Sequence, residues 1–142
     1  MESLEKAIIT VQTIVNAPIE VVWKIWTTPE DIIKWNSASD DWHTPRAEND
    51  LKDGGVFNYR MEAKDGSMGF DFEGVYEKVI VNKQINYILG DGRKVNVIFS
   101  SADNKTHIIE AFEAESINSV ELQRNGWQAI LNNFKKHVEA CK

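Results

Sequence analysis

One cysteine, three histidines and three prolines are all that the 142 residues hold of those types. No apolar run approaches the roughly 18 residues that a membrane-crossing helix needs. A lone thiol, Cys141, excludes an intrachain disulfide, and its place beside the last residue predicts an exposed, frayed position. His43, His107 and His137 stand in neither H-x-H nor H-E-x-x-H spacing, so no zinc set is expected from them. A G-x-S-x-G elbow and a phosphate-cradling glycine loop are also missing, which leaves serine-hydrolase and nucleotide chemistry without support. Positive charge is scarce, with 16 Lys and Arg against 22 Asp and Glu and a net charge of -6. Nucleic acid and anionic membranes are recognised by clustered positive charge, so neither is an expected partner, and membrane insertion is not expected. The one basic run, Lys135-Lys136-His137, reads as cations placed at the negative end of a helix. The opening MESLEKAIIT is acidic and has no basic segment before an apolar one, so the expectation is no signal peptide and a cytoplasmic protein.

What the chain does have is an ordinary globular composition, 42% hydrophobic and 27% charged, and the length of one domain spanning residues 1–142. It also has a crowd of indoles. Trp23, Trp26, Trp35 and Trp42, four of the five tryptophans, fall in the first third of the chain. Rings of that size either fill an awkward core volume or line a site for something flat and apolar.

Residues 7 to 15 are rich in β-branched side chains, with Ile9, Val11 and Val15 on one face and Ile8 and Ile14 on the other, which predicts a first strand. Asn16-Ala17-Pro18 ends it and opens a helix whose Ile19, Val22, Trp23 and Trp26 share a face. Thr28-Pro29-Glu30-Asp31 repeats the start signal, a hydroxyl N-cap followed by proline, and predicts a second short helix carrying Ile32, Ile33 and Trp35. Residues 36 to 54 are polar and read as a long irregular loop.

The period then changes to two. Phe57, Tyr59 and Met61 alternate with polar residues, Lys64-Asp65-Gly66-Ser67 is a hairpin turn, and Phe70 and Phe72 follow. Ile85, Tyr87 and Leu89 lead to a turn at Asp91-Gly92, then come Val95, Val97 and Phe99, a turn at 102–105, and Ile108, Ala111 and Phe112. The reading is six strands in series by hairpins, an antiparallel meander. Gly74 inside a strand pattern predicts a bulge. The last segment predicts one helix from Ser119 to about Glu139, with a stripe of Val120, Trp127, Leu131, Phe134 and Val138. Arg124 falls where that stripe calls for an apolar residue. Gly126, costly in a helix by about 1 kcal/mol, predicts a close approach of the backbone to the sheet or a ligand.

The order of elements, with A-P-I-E-V-V-W, D-L-K-D-G-G-V-F-N-Y-R-M, D-G-S-M-G-F-D-F-E-G-V-Y and E-L-Q-R-N-G-W-Q-A-I-L-N-N-F, resembles the START-like or SRPBCC superfamily. Within it the chain is similar, from about Lys6 to Glu139, to the group named for the C-terminal domain of the activator of heat-shock protein 90 ATPase. The resemblance implies an α+β helix-grip fold: strand, two short helices, six strands and a long C-terminal helix, forming a curved antiparallel sheet of about seven strands around an internal hydrophobic cavity. Relatives hold lipids, sterols, polyketides or plant aromatics there. The expected partner is therefore a small hydrophobic molecule, bound by a carrier, sensor or sequestration protein with no cofactor. Cyclase- or hydrolase-type catalysis and a chaperone partner in a stress response are the alternatives.

In such a fold Trp23 reads as core. The expected ligand contacts are Trp26, Trp35 and Trp42 at the mouth, and Phe57, Tyr59, Met61, Phe70, Phe72 and Tyr87 on the sheet wall. The long helix adds Arg124, Trp127, Leu131 and Phe134. Arg124 would need an anion if buried and would snorkel if at the rim. His43 could move a proton at the mouth, although a solvated loop histidine is the plainer reading.

Overall fold

The computed structural model describes residues 7–141. The acidic start of the chain, Lys6 included, and Lys142 lie outside the described residues. The elements run β1 (Ile8–Val15), α1 (Ile19–Thr27), α2 (Pro29–Trp35), β2 (Trp42–Asn49), β3 (Val56–Ala63), β4 (Gly69–Ile80), β5 (Gln84–Leu89), β6 (Lys94–Ala102), β7 (Lys105–Glu113) and α3 (Val120–Ala140). All seven strands form one curved antiparallel sheet in the order β1-β7-β6-β5-β4-β3-β2. The meander thus places β1 beside the last strand and leaves β1 and β2 as edges.

Alternation decides which face is covered. Ile9, Val11 and Val15 of β1 are buried while Ile8 and Ile14 are exposed. Val95, Val97 and Phe99 of β6 and Ile108 and Phe112 of β7 continue the same buried face. The tight turns are made by residues that tolerate positive φ: Gly66 at 80°, Gly92 at 92°, and Asp103 and Asn104 at 54° and 64°. Against the buried face lies α3, packed closest to β1, with α1 and α2 at one end. Its Ser119 hydroxyl caps the helix by accepting from Leu122 N–H at 3.0 Å. Lys135, placed in sequence by its charge alone, fastens the helix to the edge strand by donating to Ile14 O at 2.6 Å.

Several local expectations are corrected. The polar segment 36–54 contains β2, whose pairing with β3 slips between His43 and Arg46, across Pro45. Proline is tolerated there because an edge strand has one side without a ladder. The bulge falls between Tyr76 and Lys78, whereas Gly74 pairs regularly. Gly74 is instead a close approach: a Cβ would lie 2.6 Å from Ile88 O and 2.9 Å from the Phe57 ring. The Thr28 hydroxyl makes no N-cap for α2 and donates back to Lys24 O of α1 at 2.6 Å. On α3 the stripe is Gln123, Leu131, Phe134 and Val138 with Trp127 half-buried, while Val120 is exposed. Gln123 is a buried polar residue because it holds the preceding loop, accepting from Glu115 N–H and donating to Asn118 O. Gly126 approaches nothing, since a Cβ there would meet no atom within 4 Å.

Candidate functional site

Between α3, the mouth of α1 and α2, and the β3–β5 part of the sheet is a cavity of about 160 Å³. Its walls follow from the two periodicities. Phe57, Tyr59 and Met61 from β3 and Phe70, Phe72 and Tyr76 from β4 form one side, joined by Ile85 and Tyr87 of β5. Trp127, Ile130 and Leu131 of α3 form the roof, and Trp26, Trp35 and Asn36 close the end.

The tryptophans have different jobs. Trp23 is core, buried and edge-on to Phe99 with centroids 5.2 Å apart. Trp35 is fixed by its indole N–H, which donates to Ile25 O at 3.1 Å, and its ring meets Trp26 and Phe134 at 5.2 and 4.8 Å. Trp127 lies flat on Phe112, 3.8 Å between centroids and 12° between planes, and stands edge-on to Phe72. These contacts hold the rings in set orientations around the void, as a preformed apolar pocket requires.

Three residues expected at the site are outside the lining. Trp42 sits on β2 against Phe70, centroids 6.0 Å apart, one ring behind the wall. Phe134 is fully buried beneath Trp26 and Trp35 as core. Arg124 is exposed, because the inward position on that turn of α3 belongs to Gln123. His43 also stays outside, an exposed side chain 3.8 Å from Glu62. Among the described residues no group of His, Cys, Asp and Glu could hold a metal ion.

One lining residue was not expected at the site. Glu110 of β7 is only 7% exposed and reaches the cavity, with no side-chain hydrogen bond or ion pair among the described residues. Alternation puts it inside: Ile108, Glu110 and Phe112 share the buried face, and Ala111 between them is only half-buried. Burial alone pushes its carboxyl up to about 8, so it is mostly protonated at neutral pH. Burial also raises the phenols of Tyr59 and Tyr87 and brings Tyr76 up to about 12. The Tyr76 hydroxyl donates to Asn49 Oδ1 at 2.5 Å. The cavity is thus an aromatic box with phenol groups, one carboxyl and no basic side chain.

A curved antiparallel sheet gripping a long C-terminal helix over such a cavity defines the helix-grip class of the START-like, or SRPBCC, superfamily. The family model described as Activator of Hsp90 ATPase homolog 1-like protein matches residues 16–139, and the chain belongs to that family. The AHSA1-like protein of Aeromonas hydrophila, solved by NMR in solution, is 42% identical with a TM-score of 0.89, over 95% of this chain and 94% of that one. A protein of Cytophaga hutchinsonii is 54% identical with a TM-score of 0.81, over 93% and 92%. A protein of Nitrosomonas europaea, 16% identical with a TM-score of 0.80 over 98% and 97%, shares the fold. No curated protein matches the chain. No helix among the described residues is long and apolar enough to cross a membrane.

Proposed function

We propose that this protein binds a small hydrophobic molecule noncovalently in the cavity, as a carrier, sensor or sequestration protein. The observation that carries the reading is the preformed void of about 160 Å³ walled by tryptophan, phenylalanine and tyrosine rings. An apolar cavity of about 150 Å³ is large enough to take up benzene, so one or two fused rings set the size of the ligand. Trp26, Trp35 and Trp127 supply flat faces, and Phe57, Phe72 and Tyr87 the opposing wall. Native mass spectrometry of gently purified protein should find a co-purified compound. With an added aromatic or polyketide-like ligand, tryptophan emission and melting temperature should shift together. At 100 times its dissociation constant, a ligand of the folded state adds about 2.7 kcal/mol of stability. If a panel of one- and two-ring aromatics, with lipids, flavonoids and polyketides beside them, moves neither signal in folded protein, the reading fails. The alternative of the family name, a chaperone partner, is then tested by pulldown with Hsp90.

Glu110 favours one second reading, proton-transfer catalysis of the cyclase or hydrolase kind. A buried carboxyl that titrates near 8 can give and take a proton at neutral pH, which such chemistry requires. Chemical turnover of a bound compound, followed by mass and abolished in Glu110→Gln, would separate catalysis from carriage.

A further inference from the structure

Resting on the cavity-binding reading above, we propose that the site is selective for aromatic amines, with Glu110 as the anchor of the ligand's protonated nitrogen. Apart from the proton transfer considered above, a buried carboxyl inside an aromatic cavity has two uses. It can be silent structure, held by hydrogen bonds to its surroundings, or it can await a partner that arrives with the ligand. Glu110 has no side-chain hydrogen bond among the described residues and opens on the void, which leaves the second.

The surroundings choose the sign of that partner. No lysine, arginine or histidine lines the cavity, so a ligand carboxylate would enter without a counter-charge and beside an acid. A cation meets the opposite situation. The electron-rich faces of tryptophan, tyrosine and phenylalanine attract an ammonium, and a carboxylate completes its pairing once water is excluded. Other titratable groups leave this pairing intact. The strands β3, β4 and β5 present Tyr59, Tyr76 and Tyr87, all held neutral by burial, with Tyr87 close enough to feel the Glu110 charge. Arg93, whose charge reaches Tyr87, is already paired with Asp91 at 2.8 Å. The neighbouring strands present Val11 and Val97 opposite Glu110, and α3 presents Trp127, Ile130 and Leu131.

The test is calorimetry on the full chain at pH 8.5 with three matched probes: 1-naphthylmethylamine, 1-naphthalenemethanol and 1-naphthoic acid. The amine should bind at least tenfold tighter than the alcohol, and the acid at least tenfold weaker than the alcohol. In Glu110→Gln the amine should lose at least tenfold while the alcohol changes less than threefold. A second measurement needs no variant. Because an ammonium binds the ionised carboxyl, wild-type affinity for the amine should rise about tenfold per pH unit from pH 6 towards 8, with release of close to one proton, and then level off. The alcohol should show no such slope. An amine no tighter than the alcohol, or an amine affinity flat from pH 6 to 8, overturns the anchor while the hydrophobic-binding reading stands. Silence from all three probes in calorimetry and melting temperature overturns both.

Discussion

Replacing Glu110 by glutamine removes a group that can ionise and keeps its shape, so it isolates the free energy of the buried carboxyl. Folded, the carboxyl titrates at about 8; unfolded, it returns to its ordinary 4.5. Below pH 4.5 both states hold the proton and no penalty exists. Between 4.5 and 8 the unfolded chain releases its proton while the folded chain keeps it. Ionisation therefore stabilises only the unfolded state, and stability falls as pH rises, at up to about 1.4 kcal/mol per pH unit. Above 8 both states are ionised and the penalty is complete. The wild-type protein should thus lose, relative to Glu110→Gln, about 3 kcal/mol at pH 7 and about 5 kcal/mol above pH 8. Urea unfolding of both proteins at pH 5, 6, 7, 8 and 9 measures it, because every other titrating group cancels in the difference. The gap at pH 5 records the neutral exchange of acid for amide together with the first part of the penalty, roughly 1 kcal/mol, and what matters is its growth. Two parallel profiles, differing by a constant from pH 5 to 8, would show that Glu110 ionises as freely in the fold as out of it. The picture of an unpartnered acid in an apolar cavity would then be wrong.

Three further substitutions test the framework around the cavity. Gly126→Ala should stabilise by about 1 kcal/mol, raising the melting temperature by about 2–4 °C, because the added methyl meets nothing within 4 Å while helix propensity improves. A loss of stability would show that the backbone is crowded there. Gly74→Ala should destabilise by about 1–3 kcal/mol in urea, since the new methyl would strike Ile88 O and the Phe57 ring, and neutrality would refute the close approach. Trp127→Ala should cost about 3 kcal/mol, the low end for a large aromatic, because one face of the ring stacks on Phe112 and another already borders the void. It should also weaken the binding of an aromatic ligand and reduce the fluorescence response, Trp26 and Trp35 keeping part of it, and an unchanged affinity would place the ligand elsewhere.

How much of this could be read in advance depended on whether one rule governed a segment. β3 to β7 and α3 were legible because alternation, turn chemistry and helical spacing agree there, from Phe57 through the glycine turns to Val138. β2 was not, because an edge strand need not be apolar, and Pro45 in a polar run mimics a loop. On α3 one residue is worth 100° of rotation, enough to exchange exposed Arg124 for buried Gln123. Aromatic residues mark the walls of the cavity in the sequence, whereas Glu110 carries no such mark, although strict alternation between Ile108 and Phe112 puts that carboxyl inside.

The residue hardest to foresee is also the one that stability alone does not explain. Leaving about 160 Å³ unfilled costs up to about 4 kcal/mol at the roughly 24 cal/mol per Å³ of an enclosed cavity, less where water enters by the mouth, and keeping Glu110 there adds about 3 kcal/mol at neutral pH. Together these approach the whole net stability of a small domain, about 5–15 kcal/mol. Larger side chains at Ile85, Ile130 or Leu131 could fill the space, and an apolar residue at position 110 would remove the penalty of the acid. A chain that keeps both defects side by side carries a local conflict between folding and something else, as functional sites do. A ligand with an aromatic body and a basic nitrogen relieves both at once: the rings occupy the void, and the nitrogen gives the carboxylate its partner. Each defect alone could be an accident of packing, but the two share one wall, and a single molecule answers both.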